Sequence, residues 1–232
     1  MRFLLSAAAI VFGTSTSGAF ALTNGDFSAG FLGWDGKLCP FSCNDAALPN
    51  SFVDIVDDGT NSYVEIKAPS VLESLSSVQI RQSVTIDALK PFLEIDAGFV
   101  SESFDALGQG SNNLDDLVVG LATPSDAISL FRVTRNGGSA TNSAPAQYKV
   151  MVTDTGPGPL QYSFKADLSS LAGQTFELYI GTFIEPLEGL QSVFAFDNVR
   201  FSGPVTGVPL PPGMLLAGTG MLALIALRRR RG

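Results

Sequence analysis

The sequence predicts an all-β protein, a two-sheet antiparallel sandwich, and three observations predict it. Short segments alternate apolar and polar residues with a period of two. Clusters of Gly, Pro, Asn and Asp separate them. Between its two ends the 232-residue chain shows almost no helical periodicity. The segments that qualify as strands are 52–56, 62–67, 77–86, 92–100, 117–122, 128–134, 147–153, 160–165, 175–183 and 194–201. Their number and spacing suit two packed sheets.

Before the first strand come two separate elements. Met1-Arg2 leads into the apolar run 3–12 and then to Ala19-Phe20-Ala21. A positive end, a short apolar core and an A-x-A site describe a secretory signal peptide over 1–21, with the mature chain starting at Leu22. The run is too short to span a bilayer alone. Next, Cys39 and Cys43 are the chain's only cysteines. In an oxidising compartment they are expected to pair, shaping a local loop more than stabilising the domain. A zinc site is the alternative, but zinc takes four ligands and the chain has no histidine and no further cysteine.

Later in the chain, Asp167 is placed to cap one helical turn over 168–172, and Gly173 to end it in a left-handed conformation. Two stretches, 101–116 and 135–146, read as long irregular loops, which act as connectors or binding loops. No internal repeat or second folded domain is visible. One domain is therefore expected over 22–203, a Pro/Gly linker with its motif over 204–213, and an apolar helix with an arginine-rich end over 214–232.

Charge narrows the partners. Arg2, Arg228, Arg229, Arg230 and Arg231 are five of the fourteen basic residues, so residues 22–207 set nine basic groups against all twenty-two acids, a net charge of −13. Such a surface repels nucleic acid and anionic membrane. It attracts divalent cations, or keeps the protein soluble.

Asn24-Gly25-Asp26-Phe27, followed by Gly30 and Gly33-Trp34-Asp35, resembles the opening strand of galactose-binding-like jelly rolls, the fold of several carbohydrate-binding modules. Phe196-Asp197-Asn198-Val199-Arg200-Phe201 is similar to their last strand, and the 166–173 segment to the turn before the final strands. The resemblance implies a jelly roll with first and last strands adjacent, a structural calcium ion near them, and polysaccharide as partner.

For the calcium, Asp197 is the first candidate, with Asp26 and Asp57. Ser28 stands where related sequences commonly carry Glu, and Asp26, Asp57 and Asp58 are the available substitutes. Strict alternation through Val193, Ala195, Asp197, Val199 and Phe201 puts Asp197 on an apolar face, which costs several kcal/mol unless the charge is paired or coordinated. A bulge at Asp197-Asn198 is the alternative: it turns Phe194 and Phe196 inward and leaves Asp197 in solvent.

For a glycan, exposed aromatic rings are the natural platform. Tyr148 and Tyr162 alternate with apolar neighbours and belong to the core, whereas Tyr63 alternates with Glu65 and Lys67, and Tyr179 with Glu177. Tyr63 and Tyr179 are therefore the candidate platform, against the plain reading that they are ordinary surface tyrosines. Trp34, the only tryptophan, is expected in the core.

Catalysis is not expected. Without histidine the chain builds no Ser-His-Asp triad, histidine base or H-E-x-x-H site. A carboxylate pair is the remaining route to glycoside hydrolysis. Glu94-Ile95-Asp96 begins like the E-x-D-x-x-E strand of jelly-roll glucanases, but position 99 is Phe.

The tail is the most specific feature. Val208-Pro209-Leu210-Pro211-Pro212 enters the apolar run 214–227, which ends in Arg228, Arg229, Arg230 and Arg231. The uncharged stretch 208–227 is long enough to cross a bilayer, and the arginines hold its end in the cytoplasm. A plain tail anchor explains those two features but not the prolines. The whole pattern resembles the VPLPA type of PEP-CTERM signal, with Pro212 where that family usually has Ala. It implies processing by an exosortase, an inner-membrane precursor with its domain in the periplasm, and a mature form at the cell surface or in the exopolysaccharide matrix or biofilm of a Gram-negative bacterium. The expected function is polysaccharide binding; a structural or adhesive role without glycan binding is the alternative, and a glycosidase the weaker one.

Overall fold

The computed structural model describes residues 21–39, 43–59, 61–69, 77–104, 115–141, 144–183 and 190–204. The signal segment before Ala21, the sorting motif 208–212 and the arginines 228–231 lie outside the described residues.

Among the described residues there are thirteen strands: β1 (Asp35–Cys39), β2 (Asn44–Ala46), β3 (Val53–Asp57), β4 (Ser62–Lys67), β5 (Ser77–Thr85), β6 (Phe92–Phe104), β7 (Asp116–Ala122), β8 (Ala127–Thr134), β9 (Gly137–Ala140), β10 (Met151–Asp154), β11 (Tyr162–Asp167), β12 (Thr175–Phe183) and β13 (Leu190–Ser202). They form a seven-stranded sheet in the order β2-β1-β5-β12-β7-β8-β9 and a six-stranded sheet in the order β10-β11-β6-β13-β4-β3. Every pairing is antiparallel. The expected all-β, two-sheet architecture is thus present.

Alternation builds the core. Val78, Ile80 and Val84 of β5, Leu117, Val119 and Leu121 of β7, and Leu178 and Ile180 of β12 are buried from one sheet. Leu93 and Ile95 of β6, Phe164 of β11, and Phe194 and Phe196 of β13 are buried from the other. Phe131 of β8 stacks on Phe164 with ring centroids 4.6 Å apart and 8° between planes. Each such side chain contributes roughly 1.5–3 kcal/mol through removal from water.

Several local expectations change. The sequence pattern missed β1, β2 and β9, because Gly36, Gly137 and Gly138 carry no side chain to alternate and β2 is Asn-Asp-Ala. Gly138 is required by packing: a Cβ there would lie 2.7 Å from the Tyr162 ring and 2.8 Å from that of Phe164. Within 147–153, only Met151 onward is strand; Ala146–Tyr148 is a 3-10 turn, and Lys149 turns left-handed at φ 41° before β10. β6 continues to Phe104, into a stretch read as loop. The turn after Asp167 is a 3-10 helix, Ser169–Leu171, with the Ser169 N–H donating to Asp167 Oδ1 at 3.0 Å and Gly173 at φ 80°.

The opening motif is not a strand. Residues 22–34 form consecutive turns, a hook. Asn24 and Phe27 both have φ 52°; the Phe27 N–H donates to the Asn24 carbonyl, and the Asn24 side chain accepts from the Ala29 N–H and donates to the Gly30 carbonyl. Trp34 is buried, as expected, and its Nε1 donates to the Asn24 carbonyl at 3.2 Å. Gln82 of β5 clasps the hook, its Oε1 accepting from the Thr23 N–H at 2.7 Å and its Nε2 donating to the carbonyls of Thr23 and Gly33.

Candidate functional site

Two polar sites stand out, one on each sheet. The first lies on the outer side of the six-stranded sheet, where β13 bulges. Register pairs Phe194 with Phe99, Phe196 with Ala97 and Asp197 with Asp96, and then shifts before Arg200 pairs with Glu94. Asn198 takes up the extra residue at φ 54°. The bulge turns Phe194 and Phe196 inward, so the strict alternation that set Asp197 among Val193 and Val199 does not hold. The solvent position attached to that bulge is also wrong. Asp197 is only 2% exposed.

Its cover comes from two loops. The hook docks on the bulge through the Val199 N–H, which donates to the Gly25 carbonyl at 2.9 Å. The β3–β4 turn brings Asn61, whose Nδ2 donates to Asp197 Oδ2 at 3.1 Å. Together they leave a depression of about 480 Å³ lined by Asp26, Ser28, Asp57, Asn61, Asp197 and Asn198, among others. The three carboxylates singled out for a metal, Asp26, Asp57 and Asp197, all line this depression.

The electrostatics there are unfavourable for an isolated chain. Asp197 Oδ1 is buried with no hydrogen-bond partner. Burial pushes the Asp197 carboxyl above the ordinary carboxylate range; the Asn61 and Asn198 hydrogen bonds oppose this, and repulsion from Asp96 and Asp26 adds to it. Asp26 is exposed and held below its usual value by the N–H and hydroxyl of Ser28. Asp57 Oδ1 accepts from the Gly59 N–H at 2.8 Å. An orphaned carboxylate oxygen suits a hard cation. Even so, among the described residues no three Asp, Glu, His or Cys side chains converge closely enough to form a metal cage.

The second site is the outer side of the seven-stranded sheet. β5 reads Ser77-Val78-Gln79-Ile80-Arg81-Gln82-Ser83, so one face of the strand is polar. Arg81 Nε and Nη2 donate to Gln79 Oε1 at 2.9 and 2.6 Å, Nη1 donates to Glu177 Oε2 at 2.6 Å, and Gln79 Nε2 donates to Ser77 Oγ at 3.0 Å. Arg81 Nη2 also lies 3.6 Å from Cys43 Sγ, and Cys43 is disulfide-bonded to Cys39 as expected. An open depression of about 620 Å³, lined by Arg81, Ser83, Thr123, Thr175 and Glu177 with neighbours, adjoins this row.

The tyrosine platform is not formed. Tyr179 points to the outer side of the sheet but is 6% exposed, lying over Gly120, where a Cβ would be 2.5 Å from its hydroxyl. Its hydroxyl and Ser129 Oγ are 3.0 Å apart, and burial raises its pKa. Tyr63 is 7% exposed and belongs to the other sheet. Alternation reports the side of a sheet, not how neighbouring residues cover a ring lying on it, and so it could not foresee this. Tyr179→Phe is expected to lower the thermal midpoint by a few degrees, about 0.5–1.5 kcal/mol, by removing that hydrogen bond; an unchanged melting curve would contradict it.

Glu94 is fully engaged. Lys165 Nζ and Ser202 Oγ each donate to its Oε1 at 2.7 Å, and Arg200 Nε donates to Oε2 at 2.8 Å. Burial alone would raise its pKa, and these three partners together hold it below the ordinary value.

No protein-family model and no curated protein matches the chain. Among solved structures, a similar chain is the carbohydrate-binding module TmCBM27, described for specific mannan recognition. It is 11% identical with a TM-score of 0.40, over 75% of this chain and 90% of that one.

Proposed function

We propose that this is an exported surface or matrix protein of a Gram-negative bacterium, processed by an exosortase, whose jelly-roll domain binds polysaccharide without cleaving it. The observation that carries the reading is the Gln79–Arg81–Glu177 row beside an open depression. Sugar hydroxyls bind to charge-assisted donors and acceptors of this kind, each worth about 1.5–3 kcal/mol. The engaged state of Glu94 and the lack of histidine support a non-catalytic role. Export and sorting rest on the signal-like start and the 208–232 tail.

The proposal includes a structural calcium ion at the depression around Asp197. Asp197 would be its buried ligand, with Asp26 and Asp57 on the rim of the depression but not close enough to close a cage on it, and its charge would offset the repulsion of Asp197 by Asp96 and Asp26.

The test is a glycan array probed with the purified protein. Binding to at least one polysaccharide is expected, weakened about tenfold or more by Arg81→Ala. The structural or adhesive reading keeps one observation in its favour: neither Tyr63 nor Tyr179 is an exposed ring. Absence of binding to every glycan would select it. For sorting, removal of the exosortase from the producing cell is expected to leave the full-length protein in the inner membrane; unchanged release would refute that step.

A further inference from the structure

The edges of an open sheet are rows of backbone donors and acceptors on which another strand can add. Here the edge strands are β2 and β9 of one sheet and β10 and β3 of the other. β9 and β10 lie against each other along one side of the sandwich. β2 offers only three residues. Among the described residues, β3 (Val53–Asp57) is therefore the edge best suited to take a partner strand.

Pairing with β4 decides which groups of β3 face outward. The Lys67 N–H donates to the Phe52 carbonyl at 2.8 Å, and the Asp58 N–H to the Asn61 carbonyl at 3.1 Å. Backbone direction alternates along a strand, so residues 52, 54, 56 and 58 address β4, while Val53, Ile55 and Asp57 turn their N–H and C=O groups to the free edge. Much of that outward row is already occupied. Asn50 closes both groups of Val53: its Oδ1 accepts from the Val53 N–H at 3.1 Å, and its own N–H donates to the Val53 carbonyl at 2.9 Å. Asp54 is exposed, and its Oδ1 accepts from the Ile55 N–H at 2.8 Å.

We propose that β3 is the self-association edge of this protein, fitted to the β3 of a second copy, and that Asn50 and Asp54 hold it shut. A second copy is the occupant because the outward groups of Val53–Asp57 are self-complementary about Ile55. With Ile55 opposite Ile55 of the second copy and Val53 opposite its Asp57, the pairing is antiparallel and two-fold, and the two Ile55 residues exchange both backbone hydrogen bonds. The two six-stranded sheets would then continue as one. In the wild type the Asp54 carboxylate takes the Ile55 N–H at the centre of that ladder, and the exposed Asp54 and Asp57 of each copy set like charges along one short edge. The inference is independent of the glycan and calcium readings.

The experiment compares self-association of the purified protein and its variants by analytical ultracentrifugation at neutral pH. Wild type is expected to be monomeric. Asp54→Ala, which removes both cap and charge, should associate about tenfold or more tightly, whereas Asp54→Asn, which keeps an oxygen acceptor for the Ile55 N–H, should stay near wild type. Ile55→Pro added to Asp54→Ala removes the central outward N–H without touching a bond to β4, and should restore the monomer. Circular dichroism checks that each variant is folded. Exchange of the Ile55 amide in Asp54→Ala should slow as protein concentration rises, a readout that does not need the proline variant. An Asp54→Ala protein as monomeric as wild type overturns the proposal. So does a dimer that survives Ile55→Pro, or one whose Ile55 amide exchanges at the same rate at every concentration. Equal association of Asp54→Asn and Asp54→Ala, or a wild type already paired through β3, overturns the capping role.

Discussion

Asp197→Asn should raise the thermal midpoint of the calcium-free protein and lower it, relative to wild type, in calcium. In EDTA the wild-type carboxylate is desolvated, Oδ1 has no partner, and Asp96 and Asp26 repel it. Leaving a buried polar atom unsatisfied costs about 1–3 kcal/mol, more for a charge. For a domain of this size each kcal/mol moves the midpoint by about 2–4 °C. Asparagine keeps the shape and removes the charge, so a gain of roughly 5 °C is expected. With the proposed calcium ion bound, a concentration of 100 times Kd would add about 2.7 kcal/mol to the wild type, which the variant would largely forfeit. The rank order of the two proteins therefore inverts between buffers. A pH series gives a second readout. The folded state holds the Asp197 proton more tightly than the unfolded chain does. Between the ordinary carboxylate range and the raised folded value, the folded state binds more protons, so calcium-free stability falls as pH rises. Asp197→Asn should remove this component of the slope. A variant less stable than wild type in EDTA would mean that the carboxylate is already satisfied without a metal.

How far the sequence spoke is visible in that same strand. The segment 194–201 was legible as strand, and Asp197 as anomalous, because a carboxylate inside a run of Phe, Ala and Val conflicts with either face. Two placements were open, and each captured half. The bulge set the direction of Phe194 and Phe196, while burial of Asp197 came from loops 136 or more residues earlier in the chain. No local pattern encodes that contact. The Asn61 that caps Asp197 sits in an Asp-Asp-Gly-Thr-Asn turn that reads only as a turn. The Arg81 row, by contrast, was readable. Ser77, Gln79, Arg81 and Ser83 alternate with Val78, Ile80 and Gln82, and a polar strand face of that length is a binding-face signal that needs no aromatic residue. Tyr63 and Tyr179 failed for the opposite reason: their side of the sheet was right and their exposure was not.

Gly25→Ala should be the most damaging single-methyl change in the hook. A Cβ at Gly25 would stand 1.8 Å from the Val199 carbonyl oxygen and 2.8 Å from Leu22 Cδ2. The first is backbone, fixed in the bulge by Asn198 at φ 54°, and cannot swing aside. The hook must therefore lift, which breaks the Val199 N–H bond to the Gly25 carbonyl and withdraws Phe27 from its edge-on contact with Phe196, 5.5 Å between centroids. Overpacking costs about 1–3 kcal/mol, and losing a buried Phe side chain about 3–5. A drop of more than about 10 °C is expected. Trp34 reports the event directly, since it is the only tryptophan and leans on Phe27 at 5.4 Å: its emission should shift to the red as water reaches it. Under the calcium proposal, stabilisation by the ion should fall in parallel, because Asp26 and Ser28 leave the rim of the depression with the hook. Gly30→Ala is the contrast. Its φ of 71° costs a side chain about 1–2 kcal/mol, but nothing lies within 4 Å of the new Cβ, so Trp34 emission should stay as in wild type. If Gly25→Ala melts and fluoresces like wild type, the hook does not dock on the bulge through this contact, and the burial of Asp197 must have another source.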